Sequence, residues 1–165
     1  MRQIILQNMF ISVTEFLNSG LPVSDDISSY EVEEAITMIE EFYIKPRLGD
    51  TLMNALEDYD EEHPTEEPYD IIINGGRLDD GTRIAGIKKA EKYLVFAWMM
   101  VNLNRITRFS TVEKDSEYSK SADSEKFEQQ ARLNWEIGEK FIKEITDYYQ
   151  IKWDLKFPNL LNQLF

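Results

Sequence analysis

The chain has 165 residues, 42% of them hydrophobic and 12% aromatic, enough for one domain with a real core and too apolar for a disordered chain. It has no cysteine, which excludes a disulfide framework, a thiolate metal site and a cysteine nucleophile. Net charge is −13, and residues 1–70 hold 17 acids against 3 bases, a net of −14, so a sequence-reading nucleic-acid binder with a basic footprint is disfavoured.

Residues 1–11 are apolar without helical punctuation; Ile4, Leu6, Met9 and Phe10 read as an extended arm or a short helix. The stretch is interrupted by Arg2, Gln7, Asn8 and Glu15, so no secretory signal is read, and the expected compartment is the cytoplasm of the cell that makes it. Ser12-Val13-Thr14-Glu15 has capping-box spacing and predicts a short helix that carries Phe16 and Leu17 inward and stops at Asn18-Ser19-Gly20. A second helix is expected from Ser24–Ser28 to Ile44, burying Val32, Ala35, Ile36, Ile39 and Tyr43, with Phe42 beside them. Glu31, Glu33, Glu34, Glu40 and Glu41 form its solvated face, and Pro46 is expected to end it. Gly49-Asp50 then offers a break and a cap for a third helix marked by Leu52, Ala55, Leu56 and Tyr59.

Glu57 to Asp70 reads EDYDEEHPTEEPYD, eight carboxylates with no Lys or Arg and two prolines, an exposed acidic loop over 57–70. Ile71-Ile72-Ile73, closed by Asn74-Gly75-Gly76, is either a helical turn with a glycine cap or a short strand with a tight turn. Asp79-Asp80-Gly81-Thr82 is a further turn.

The stretch from Arg83 to Phe109 is the centre of the chain. It begins amphipathic, with Ile84 and Ile87 apolar and Lys88, Lys89, Glu91 and Lys92 on a wet flank. From Tyr93 to Val101 nearly every side chain is apolar, and a helix apolar all round must be enclosed by other elements. It is too short to span a bilayer, which takes about 20 apolar residues. Residues 110–124 are polar and serine-rich and read as a mobile loop. A long last helix is expected from Ser121–Ser124 to about Tyr149, with a seam of Phe127, Ala131, Trp135, Gly138, Ile142, Ile145 and Tyr149. The tail 151–165 is apolar enough to require docking, through Trp153, Phe157, Leu160, Leu161 and Phe165. The fold class expected is therefore all-α: a single-domain helical bundle over residues 1–165 around a buried central helix, with mobile loops and an apolar C-terminal tail.

Chemistry-bearing motifs are sparse. His63 is the only histidine and sits among Glu61, Glu62, Glu66 and Glu67 beside Pro64, without ligand spacing on a rigid element. Asp79-Asp80-Gly81 lacks the rest of a calcium loop, Gly75-Gly76 is not followed by G-K-[ST], and there is no G-x-S-x-G elbow. No catalytic residue, cofactor or metal ligand is assigned. Lys88, Lys89, Lys92, Arg105 and Arg108 make the ends of the central helix basic, which suits a patch meeting acid, such as Glu57 to Asp70 of a neighbouring subunit.

Three pieces, Tyr43-Ile44-Lys45-Pro46-Arg47-Leu48-Gly49, the Asn74-Gly75-Gly76 turn and Gly86-Ile87-Lys88-Lys89-Ala90, stand in a familiar order. Over residues 10–150 the chain resembles the head–tail connector (adaptor, or head-completion) proteins of tailed bacteriophages, of the type found in Bacteroidota phages and prophages. The resemblance implies a non-enzymatic subunit of a ring, often of twelve, made in the bacterial cytoplasm and placed at the virion head–tail junction. Its implied partners are itself, the portal protein and a tail or stopper protein, with DNA passing through without sequence-specific binding and no membrane. Lys88, Lys89, Lys92, Trp153, Phe157, Leu160, Leu161 and Phe165 are the expected interface residues. The alternative reading is an acidic DNA mimic or inhibitor that binds a basic protein surface.

Overall fold

Serine–glutamate pairs three residues apart start the first two helices. In the computed structural model, which describes residues 10–23, 27–59, 67–102 and 117–156 (side chains of the last helix over 125–150), helix α1 spans Val13–Leu17. Ser12 Oγ accepts from the Glu15 amide at 3.1 Å, and Glu15 Oε2 accepts from the Ser12 amide at 2.9 Å. Phe16 is buried, but Leu17 is 41% exposed, because neighbours on a helix lie about 100° apart and cannot share one inward face.

Helix α2, Ser29–Ile39, opens with a second such box, Ser28 and Glu31, and buries Val32, Ala35, Ile36 and Ile39 as their spacing predicts. Glu33, Glu34 and Glu41 are exposed, whereas Glu40 is buried. The helix does not stop at Pro46. It widens into a π segment, Glu40–Ile44, in which the Lys45 amide reaches back to the Glu40 carbonyl, and continues as α3, Lys45–Leu48. Proline in a regular helix lacks its N–H and collides with the carbonyl four residues back; the wider turn ahead of Pro46 removes that collision. The stop comes at Gly49, whose φ of 79° is left-handed.

Helix α4, Asp50–Glu57, buries Met53 and Leu56. The acidic run is therefore not loop throughout: Glu57 ends α4, Tyr69 and Asp70 begin α5 (Tyr69–Asn74), and 60–66 lie outside the described residues. The isoleucine triplet is helical and is capped by Gly75 at φ 85°. Strands β1, Gly76–Arg77, and β2, Arg83–Ile84, then pair antiparallel, Gly76 with Ile84 and Arg77 with Arg83. The Asp-Asp-Gly-Thr turn closes this hairpin, with the Leu78 amide donating to the Thr82 carbonyl and the Thr82 amide to Asp80 Oδ1.

The central helix α6 is Ile87–Asn102, so Arg83 and Ile84 belong to the hairpin and not to the helix. Leu94 to Ala97, Met99 and Met100 are buried, Tyr93 and Trp98 half-buried, and Val101 exposed, so enclosure is close to complete but breaks at the last turn. Glu91, expected on the wet flank, is buried completely.

The last helix, α7, runs Glu117–Lys156, 40 residues or roughly 60 Å of rise. It starts ahead of the expected Ser121–Ser124 and outlasts Tyr149, so residues 117–124 are helix and not loop, and 151–156 of the tail are helix as well. Serine-rich composition does not break a helix; between Glu117 and Pro158 the only strong breaker residue is Gly138. Residues 110–116 and 157–165 lie outside the described residues, as do Phe157, Leu160, Leu161 and Phe165; Trp153 is placed by its backbone only. Ala131, Asn134, Gly138, Ile142 and Ile145 form the buried stripe of α7, and Phe127, Trp135 and Tyr149 pack at its edges. Gly138 lets α7 come close to α6, since a Cβ there would lie 2.6 Å from Leu94 Cγ. The protein is thus all-α with one small hairpin, and α6 is flanked by α7, α2 and α5.

Candidate functional site

Two glycines build the site. Gly75 ends α5 at φ 85° and Gly86 precedes α6 at φ 88°, and their backbones cross in contact. A Cβ on Gly75 would stand 2.4 Å from the Ala85 carbonyl oxygen, and one on Gly86 2.4 Å from the Gly75 nitrogen. This crossing fixes the base of the hairpin against the first turn of α6. Glu144 of α7 accepts from the Ala85 amide at 3.4 Å and ties the third element in.

Beside this crossing is a cleft of about 580 Å³. Arg77 and Arg83 enter it from the hairpin, Lys89 from α6, and Phe141 and Glu144 from α7, with the Asn74-Gly75-Gly76 backbone along one side. Lys89 Nζ lies 5.3 Å from the centre of the Phe141 ring. Arg77 and Arg83 are exposed direct partners across the strands, and among the described residues neither has a carboxylate partner. Three cations against one carboxylate, over an aromatic side chain, make a surface suited to an anionic, carboxylate-rich group.

The three lysines expected at an interface are not gathered in this cleft. Lys89 is in the cleft. Lys88 pairs with Glu15 at 3.4 Å, and Lys92, one turn further on, is half-buried and outside the cleft lining. Adjacent helical positions diverge by about 100°, which separates Lys89 from Lys88, while Lys92 lies a turn further along α6, beyond the cleft. Arg105 and Arg108 lie outside the described residues, as does His63.

Sequence reasoning missed both arginines. The available signal was their symmetric placement around the Asp79-Asp80-Gly81 turn, which becomes a cross-strand pair once the turn is a hairpin. It also missed a polar cluster that ties the π segment to α7. Tyr43 Oη donates to Glu139 Oε1, Arg47 Nη2 donates to the same oxygen at 3.3 Å, and Arg47 lies 4.7 Å over the Tyr43 ring. Burial first, then the Glu139 carboxylate, hold the Tyr43 phenol well above its ordinary value. Trp135 meets Tyr43 edge-on at 4.7 Å. Tyr43 and Arg47 thus brace the continuation of the helix through Pro46.

Among the described residues, no three His, Asp or Glu side chains converge as metal ligands, and no helix is long and apolar enough to cross a membrane. Fold and cleft together define a helical domain with a basic recess at a glycine crossing. The chain belongs to a family of unknown function, DUF6712, whose model matches residues 44–153, from the end of the π segment to near the end of α7. No curated protein and no solved structure matches it.

Proposed function

We propose that this chain is a structural, non-enzymatic subunit of a head–tail connector ring of a tailed bacteriophage, binding beneath the portal and extending the DNA channel. The proposal starts from the resemblance carried by Tyr43–Gly49, Asn74-Gly75-Gly76 and Gly86–Ala90. The observation that carries it furthest is the segregation of charge. Residues 1–70 hold a net −14, while Arg77, Arg83 and Lys89 gather in a cleft with a single acid, Glu144. A surface acidic in one part and basic in another is the complementarity that a head-to-tail contact between identical subunits uses, and such contacts close into rings. The acidic half also suits a channel through which DNA slides without sticking. Exposed Tyr30 and Phe42, each 72% accessible on the α2 and π-segment surface, add apolar anchors of the kind found at interfaces.

Negative-stain electron microscopy of the concentrated protein, alone and mixed with the portal protein encoded nearby, tests this reading. Rings, or added density beneath the portal, are the expected result. A monodisperse monomer that ignores the portal overturns it and favours the acidic inhibitor that binds a basic protein surface.

A further inference from the structure

Like charges placed directly opposite one another on a hairpin are destabilising. Arg77 and Arg83 stand in that relation, exposed and without a carboxylate partner among the described residues. Lys89 adds a third cation to the same cleft, and Glu144, its one acid, uses an oxygen on the Ala85 amide. The arrangement is relieved when an anionic group with several carboxylates sits between the arginines, each guanidinium taking one as a forked pair.

The chain itself carries such a group. Residues 57–70 hold eight carboxylates and no Lys or Arg. We propose that the Arg77–Arg83 cleft is the socket for the acidic run Glu57–Asp70 of a second copy of this chain. This rests on the ring reading above and names its subunit contact. The ring reading, in which each subunit meets the next, favours a neighbour's run over the chain's own. The two described ends of the run meet where the Tyr59 and Tyr69 rings stand 5.9 Å apart, at the start of α5, whereas the cleft begins at the other end of α5, at Asn74. A donor at one end of α5 and a socket at the other are placed for head-to-tail association. Nucleic acid is the competing anionic occupant, and its displacement of the acidic run is one outcome of the test.

The test titrates a labelled peptide of residues 57–70 into the full-length protein and follows fluorescence anisotropy. Saturable binding is expected, weakened at least about tenfold by Arg77→Glu/Arg83→Glu and again on raising salt from about 50 to about 300 mM. A peptide with its glutamates changed to lysine should bind the doubly substituted protein more tightly than the wild type. Arg77→Glu alone, which puts opposite charges across the hairpin, should melt no lower than wild type while binding the acidic peptide less tightly, which separates recognition from folding. Failure of the peptide to bind, equal binding to both proteins, or its displacement by a tighter-binding DNA duplex overturns the socket. If portal-bound rings form and survive Arg77→Glu/Arg83→Glu, the socket fails and the ring stands; if the peptide binds but no ring forms on the portal, the ring fails and the socket stands.

Discussion

Glu91 of α6 lies wholly out of water against Glu40 of the π segment, one acid facing another in the core. Glu40 accepts from the Phe10 amide at 3.1 Å, which fastens the chain ahead of α1 to the π segment. As a carboxylate, Glu91 has no donor to either oxygen among the described residues; protonated, it donates to Glu40. Burial first, then the charge of Glu40, hold the Glu91 carboxyl well above the ordinary glutamate value of 4.5; Glu15 adds to the shift and Lys92 opposes it.

The folded protein therefore keeps a proton on Glu91 that the unfolded chain loses above pH 4.5. Between that pH and the raised folded value the unfolded state binds fewer protons, so this group's effect is to lower stability as pH rises, by about 1.4 kcal/mol per pH unit. Glu91→Gln keeps the shape and a donor for Glu40 while removing the titration. Urea denaturation should find wild type and Glu91→Gln nearly equal at about pH 4.5, with the variant increasingly the more stable towards about pH 8. Parallel stability curves across that range would show that the pair carries no such coupling.

Gly86→Ala should cost at least about 2 kcal/mol, summing a left-handed backbone, worth about 1–2, and a collision that forces the crossing apart. Its new methyl would stand 2.4 Å from the Gly75 nitrogen. Gly49→Ala, with φ 79° and ψ 156°, an extended positive-φ conformation that is essentially glycine-only, but nothing within 4 Å, should lose only the backbone part, about 1–3 kcal/mol. Chemical denaturation of the two variants measures the difference, and equal losses would mean that the crossing is not tight.

Gly138→Ala sets two effects against each other. Alanine improves an α7 interior position by about 1 kcal/mol in intrinsic propensity, but overpacking a core costs about 1–3. With the new Cβ 2.6 Å from Leu94 Cγ and 3.1 Å from the Ala90 carbonyl, the collision should win, for a net loss of up to about 2 kcal/mol. Leu94→Ala should then cost less in the Gly138→Ala background than in wild type, because the two positions share one space. Additive losses in that double-mutant cycle would place the strain elsewhere.

Much of the architecture is legible in short-range patterns. Ser12 with Glu15, the stripe of Val32, Ala35, Ile36 and Ile39, the turn at Asp79–Thr82, and the seam of Ala131, Gly138, Ile142 and Ile145 each depend on residues within a turn or two. Local hydrogen bonding and the 3.6-residue period determine them. The buried centre at Leu94–Met100 was also readable, because an all-round apolar helix has only one stable environment. What only the tertiary structure decided involves partners distant in the chain. Glu91 looks like the lysines beside it until α2 and the π segment bring Glu40 against it. Pro46 looks like a helix end until Tyr43 and Arg47 anchor the widened turn on Glu139 of α7. Arg77 and Arg83 look like ordinary surface charge until the hairpin register sets them face to face beside Lys89. Burial, a bypassed proline and a shared charge site belong to no local segment; each exists only where separate elements pack together.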